Sequence, residues 1–132
     1  MLIETALFAY LSEYTGLVGK RVYPLKLPQK PTLPAITYQR ISGPHVHSHN
    51  GISGLARPRY QFTCWAEKYA DTKAIAETLR IALDGYSGTM GGVGGVNVSG
   101  ILSEGDGDIY DPATELNGVW HDFFIWHEEA KE

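Results

Sequence analysis

Three histidines alternate at His45, His47 and His49. On a strand such residues share one face at ~6.8 Å spacing, and imidazoles placed so can ligate a transition metal. No cysteine or carboxylate lies close by to complete a ligand set. The surrounding Gly43–Gly54 stretch (GPHVHSHNGISG), with its Asn50-Gly51 turn signal, reads as a polar, mobile loop. No metal site is expected there. Glu104, Asp106 and Asp108 fall at positions 1, 3 and 5 of a calcium-loop template, with Glu115 at position 12. That template wants Asp first and glycine where Ile109 stands, and no helix pair flanks the segment. The run Gly91-Gly92-Val93-Gly94-Gly95 lacks the Lys-Ser/Thr of a phosphate loop, and Asn97 stands where a dinucleotide motif needs its third glycine. Gly51-Ile52-Ser53-Gly54 is one residue short of a nucleophile elbow. Cys64 alternates with Tyr60 and Phe62 and reads as a small core residue. With no nucleophile beside a base and no acid–base pair legible, neither enzymatic activity nor a cofactor is expected.

The elements that would position these residues are legible from periodicity. Leu2, Ile3, Ala6, Leu7, Tyr10, Leu11 and Tyr14 follow helical spacing, and Gly16 ends the run. Phe8 falls on the polar side of that helix, where it could meet a partner. Lys20–Leu25 reads as a short extended segment. Prolines at 24, 28, 31 and 34 exclude helix and central strand from the stretch that follows. Ala35–Ser42 and Arg57–Ala66 read as strands joined by the histidine loop. Tyr69–Asp84 is a second amphipathic helix closed by Gly85. Ser87–Gly95 is a connector, Val96–Ser103 a strand, Glu104–Gly118 an acidic, mobile loop, and Val119–His127 a strongly β-forming strand. The expected fold is α+β: one domain over residues 1–132, a mainly antiparallel sheet of four to five strands, and two helices packed on one face.

Size and composition agree. The chain has 132 residues, 43% hydrophobic and 20% charged, close to the globular average. It shows no apolar run of membrane-spanning length and no basic-then-apolar leader. One cysteine excludes an internal disulfide and fits a reducing compartment. The formal net charge is −4, but the charges are segregated. Ten basic residues stand against five acidic ones through Arg80, and one against ten beyond it. No Asp or Glu lies between Tyr14 and Ala66, a stretch that holds Lys20, Arg21, Lys26, Lys30, Arg40, Arg57 and Arg59. A one-sign stretch of this length could form a face that meets negative charge.

The order of segments resembles one family from end to end. An N-terminal amphipathic helix leads to Arg21-Val22-Tyr23-Pro24, then to Pro34-Ala35-Ile36-Thr37-Tyr38-Gln39-Arg40-Ile41-Ser42-Gly43. A loop with Gly51 and Gly54-Leu55-Ala56-Arg57 precedes Gln61-Phe62-Thr63-Cys64-Trp65-Ala66 and the helix ending Ala82-Leu83-Asp84-Gly85. Ile109-Tyr110-Asp111-Pro112 and Phe123-Phe124-Ile125-Trp126-His127 complete the set. This pattern resembles the tail-completion, or tail-to-head joining, proteins of long-tailed bacteriophages and prophages. The resemblance implies a non-catalytic subunit of a ring, a hexamer on assembly, at the head-proximal end of the tail. Its partners would be other copies, the tail tube and the head-completion or connector proteins. DNA would pass through without specific binding. Such a protein resides in the virion neck and, during assembly, in the bacterial host cytoplasm, and has no membrane partner. Tail-terminator proteins share this architecture, so that role stays open.

A ring needs a heterologous interface between two different surfaces, and a subunit basic in one region and acidic in another can supply both. Exposed pairs contribute only ~0–1 kcal/mol each, so they would orient the contact while apolar residues stabilise it. The candidate interface residues are Phe8, Arg57, Arg59, Asp106, Asp108 and Asp111. The last three could instead line the channel and keep DNA from adhering. A nucleic-acid-binding module using the basic stretch with Tyr23 and Tyr38 is the rival reading, and a pI near 5.7 counts against it.

Overall fold

A computed structural model describes residues 1–42, 45–48 and 51–129. The chain forms helix α1 (Ile3–Glu13), strands β1 (Val22–Pro24), β2 (Ala35–Ser42), β3 (His45–Ser48), β4 (Gly51–Ala56) and β5 (Arg59–Ala66), and helix α2 (Tyr69–Leu83). Strands β6 (Gly88–Met90), β7 (Val96–Asp111) and β8 (Leu116–Glu128) follow. All eight strands belong to one sheet, ordered β1-β2-β5-β8, with β7 on the other side of β8 and β6 beyond it. The β3–β4 hairpin continues the sheet past the end of β8, joined to it at Leu55–Glu128 and Ala56–His127.

The sheet is therefore larger than the four to five strands expected, and mixed. The proline-rich stretch carries the chain back to the start of β2, so β1 and β2 run parallel, with Val22 opposite Ile36. Every other pairing is antiparallel. Residues 104–118, expected as a loop, instead extend β7 to Asp111 and begin β8 at Leu116. Gly105 and Gly107 look like breakers in sequence, but a close approach explains the second. A Cβ at Gly107 would sit 2.6 Å from Trp120 Nε1, so only glycine lets that indole lie across the strand. A register shift between Ser103 and Gly105 absorbs Glu104 as a bulge. The expected loop at 43–54 is likewise strand at 45–48 and 51–54, with His45 and His47 in β3, while His49 lies outside the described residues. Two residues of β4, Ser53 and Gly54, fall within the shift opposite the Val46–His47 step.

Both helices cover the same face. Ile3, Ala6, Leu7 and Leu11 of α1 join Ala76, Leu79 and Leu83 of α2 in one cluster with Tyr60, Phe62, Cys64, Val119, Phe123 and Ile125 of the central strands. Helix α1 touches β1 and β6, which lie at opposite edges, so the sheet curls about it. No helix among the described residues is long and apolar enough to cross a membrane.

Candidate assembly surface

Strand alternation makes the second face of the sheet unusual. Along β8, Val119, His121, Phe123, Ile125 and His127 are buried on the helix side. The alternate set is Trp120, Asp122, Phe124 and Trp126, so aromatic residues occupy both faces of one strand. A face left to water reads as polar in an antiparallel sheet. Here Trp120, Phe124 and Trp126 stay partly exposed, and β7 presents Gly100, Leu102, Gly105, Gly107 and Ile109 opposite these residues. Leu102 is 53% exposed. Trp65 lies over Gly118, where a Cβ would come within 2.9 Å of the indole, and donates from Nε1 to Thr37 Oγ1 at 3.1 Å. The result is a surface of partly buried aromatic rings with Leu102 and Ile109 exposed beside them.

Two arginines sit on it. The Arg57-Pro58-Arg59 turn is tied down where Ile125 N–H donates to Pro58 O at 3.0 Å, which carries both side chains over β8. The Arg57 guanidinium stacks 5.2 Å from the Phe124 centroid and 5.8 Å from that of Trp126, and its side chain has no carboxylate partner among the described residues. Arg59 differs. Its Nε donates to Asp122 Oδ2 at 3.1 Å and its Nη2 donates to the same oxygen. Asp122 is buried, and among the described residues its Oδ1 has no partner. Arg59 thus answers an acid of its own chain.

The acidic candidates do not form one patch. Asp108 accepts from Lys73 Nζ at 2.9 Å and Tyr69 Oη at 2.8 Å, bracing β7 to the start of α2. Those hydrogen bonds hold its carboxyl below, and the Lys73 ammonium above, their ordinary values. Asp111 closes the β7–β8 turn, accepting from Ala113 N at 3.1 Å and Thr114 Oγ1 at 2.9 Å. Asp106 is exposed and has no ion pair among the described residues, though its charge acts on Arg80 and His121. Phe8 is half-buried and packs against the core cluster. Acids 104, 106 and 108 lie along a strand, so they do not wrap a common centre as a calcium loop would. No group of three His, Cys, Asp or Glu among the described residues could hold a metal.

One contact has no counterpart in the sequence reading. Ser103 Oγ and His121 Nε2 lie 2.6 Å apart, brought together from β7 and β8. Burial holds the imidazole below its usual value, and its ring stacks 4.3 Å from that of Phe123. Asp84 accepts from the Ser103 backbone N–H at 3.1 Å instead of orienting the histidine. The pair satisfies a buried ring nitrogen. Only the β7–β8 register discloses it, and that register lay hidden while 104–118 read as a loop.

Residues 5–128 match the family described as tail completion protein gp17. The chain belongs to this family. The tail-completion protein is accordingly a structural bacteriophage tail protein. Among solved structures, it resembles a chain in the virion of a native gene transfer agent (GTA) particle, with a TM-score of 0.69, 15% identity and 93% of each chain covered. At that identity the likeness speaks to the fold. No curated protein matches the sequence.

Proposed function

We propose that this tail-completion protein is a non-enzymatic subunit of a ring, a hexamer, at the head-proximal end of the tail, where it joins tail to head. The family match along residues 5–128 carries the reading, and the fold shared with a chain of a gene transfer agent virion supports it. The partners are further copies, the tail tube and the head-completion or connector proteins, met in the host cytoplasm and retained in the virion neck. The open sheet face is the docking surface for the tail tube or connector. Buried aromatics and arginine dominate protein interfaces, and this face offers Phe124, Trp126, Leu102 and an arginine with no carboxylate partner among the described residues. A cationic aromatic face would bind DNA on contact. It therefore turns away from the channel, while the exposed acids Glu104 and Asp106 border the path of the DNA.

Deleting the gene tests this reading. Electron microscopy of the lysate is expected to show DNA-filled heads beside separate tails. Normally joined virions would refute the proposal, and overlong tails would replace it with the tail-terminator role. Arg57→Glu is expected to reduce joining at least tenfold without lowering the melting temperature by more than about 3 °C, since an exposed cation–π contact contributes only ~0.5–1 kcal/mol.

A further inference from the structure

On the helix side, the last turns of α1, Tyr86 and the β6 turn enclose a groove of about 400 Å³. Tyr10 forms its centre, with its ring 5.9 Å from that of Tyr14 and 4.8 Å from that of Tyr86. Two of the phenol hydroxyls are already spent: Tyr10 Oη donates to Ala82 O at 2.6 Å and Tyr86 Oη to Thr89 O at 3.1 Å. The groove therefore offers ring faces, which are electronegative, together with the exposed carboxylate of Glu13. Ring faces plus a carboxylate select a cation on an aliphatic stem.

The same chain carries such cations outside this groove, Lys26 standing by Trp65 and Leu116. Lys26 and Lys30 are exposed and have no ion pair among the described residues. They stand on the segment between β1 and β2, whose prolines at 28, 31 and 34 pre-set its backbone and lower the cost of docking it. Leu25, beside them, is 74% exposed and held at φ 67°, a conformation that costs a bulky residue ~1–2 kcal/mol. Pro31, Leu33 and Pro34 border Ala66, Glu67 and Asp71 at the start of α2, whereas Tyr10 bonds Ala82 at its end. Asp71 and Ala82 stand 11 residues apart on α2, about 17 Å along its axis. Complementary surfaces at opposite ends of one subunit are what a head-to-tail contact requires.

We propose that the lysine-bearing proline segment of one copy docks in the Tyr10–Tyr14–Tyr86 groove of the next, with Glu13 meeting Lys26. This rests on the ring reading and names the contact that closes the ring. Particles carrying the chain with both Glu13→Cys and Lys26→Cys are oxidised and run on a denaturing, non-reducing gel. An intersubunit ladder is expected with both cysteines present, and monomer with either alone. Joined particles that contain the doubly substituted chain but give no ladder would overturn the groove contact and leave the ring intact. Absence of the chain from the neck of joined particles would sink the ring reading instead. Should the cysteine variant fail to assemble, charge exchange decides. Glu13→Lys, and Lys26→Glu with Lys30→Glu, are each expected to lower joining at least tenfold. Co-expression of the two alleles restores it, because each charge-altered groove then faces a charge-altered loop. Failure of the mixture to exceed either allele alone would overturn the contact.

Discussion

Truncating Arg59 to alanine leaves Asp122 in the sheet with no partner for either oxygen among the described residues, because Oδ1 already lacks one and Oδ2 bonds only to Arg59. Breaking one side of a buried ion pair costs ~3–5 kcal/mol. The acid's side chain is 4% exposed but the arginine's is 39% exposed, so water already screens the pair, and the expected loss falls to about 2–3 kcal/mol. For a chain of this size each kcal/mol moves the melting temperature by ~3–4 °C, so the shift is about 6–12 °C. Arg57→Ala, two residues away on the same face, is expected to move it by less than about 3 °C. Thermal unfolding followed by circular dichroism, checked by urea midpoints, separates the two. Adding Asp122→Asn to Arg59→Ala removes the stranded charge and is expected to recover more than half of the loss. If Arg59→Ala melts within about 2 °C of Arg57→Ala, the Arg59–Asp122 pair is not a structural element and the division between the two arginines fails.

Three further outcomes follow from buried groups. Burial holds His121 below its ordinary value of 6.5, so the unfolded chain takes up a proton that the folded one refuses. Stability therefore falls as pH drops from about 7 through the folded value, and His121→Gln is expected to flatten the decline in urea midpoint between pH 7.5 and 5.5; parallel curves would refute this. Gly107→Ala drives a methyl into the Trp120 indole and is expected to cost ~1–3 kcal/mol with a shift in tryptophan emission, whereas Gly100→Ala, with open space around it, stays within ~0.5 kcal/mol. Burial pushes the Cys64 thiol up to about 12, so the native protein is expected to resist a thiol reagent at pH 8 and to react with one equivalent in guanidinium.

Both helices were legible because their apolar spacing is strong and their ends are marked, by Gly16 and by Gly85. Strands β2 and β5 were legible from their alternation. The long β7–β8 hairpin was not, because Gly105 and Gly107 weaken the local preference for strand and only the facing indole of Trp120 gives them a reason. With the extension past Ser103 unread, the register that sets Ser103 beside His121 stayed unknown, and Asp108 could not be placed beside Lys73. Arg57 and Arg59 looked equivalent in sequence. Their difference lies in Asp122, an acid 63 residues beyond Arg59 that no local pattern connects to it. The tyrosine groove is similarly non-local, since Tyr86 meets Tyr10 only after α2 has packed across α1's end of the sheet.

The ring proposed where the tail meets the head is open to direct view. Electron cryomicroscopy of the intact particle measures it most directly. Six copies are expected around the axis at the head-proximal end of the tail tube, with the open face of each sheet against the tube or connector and Glu104 and Asp106 toward the channel. Density for this chain elsewhere in the particle, or a neck complete without it, would refute the ring.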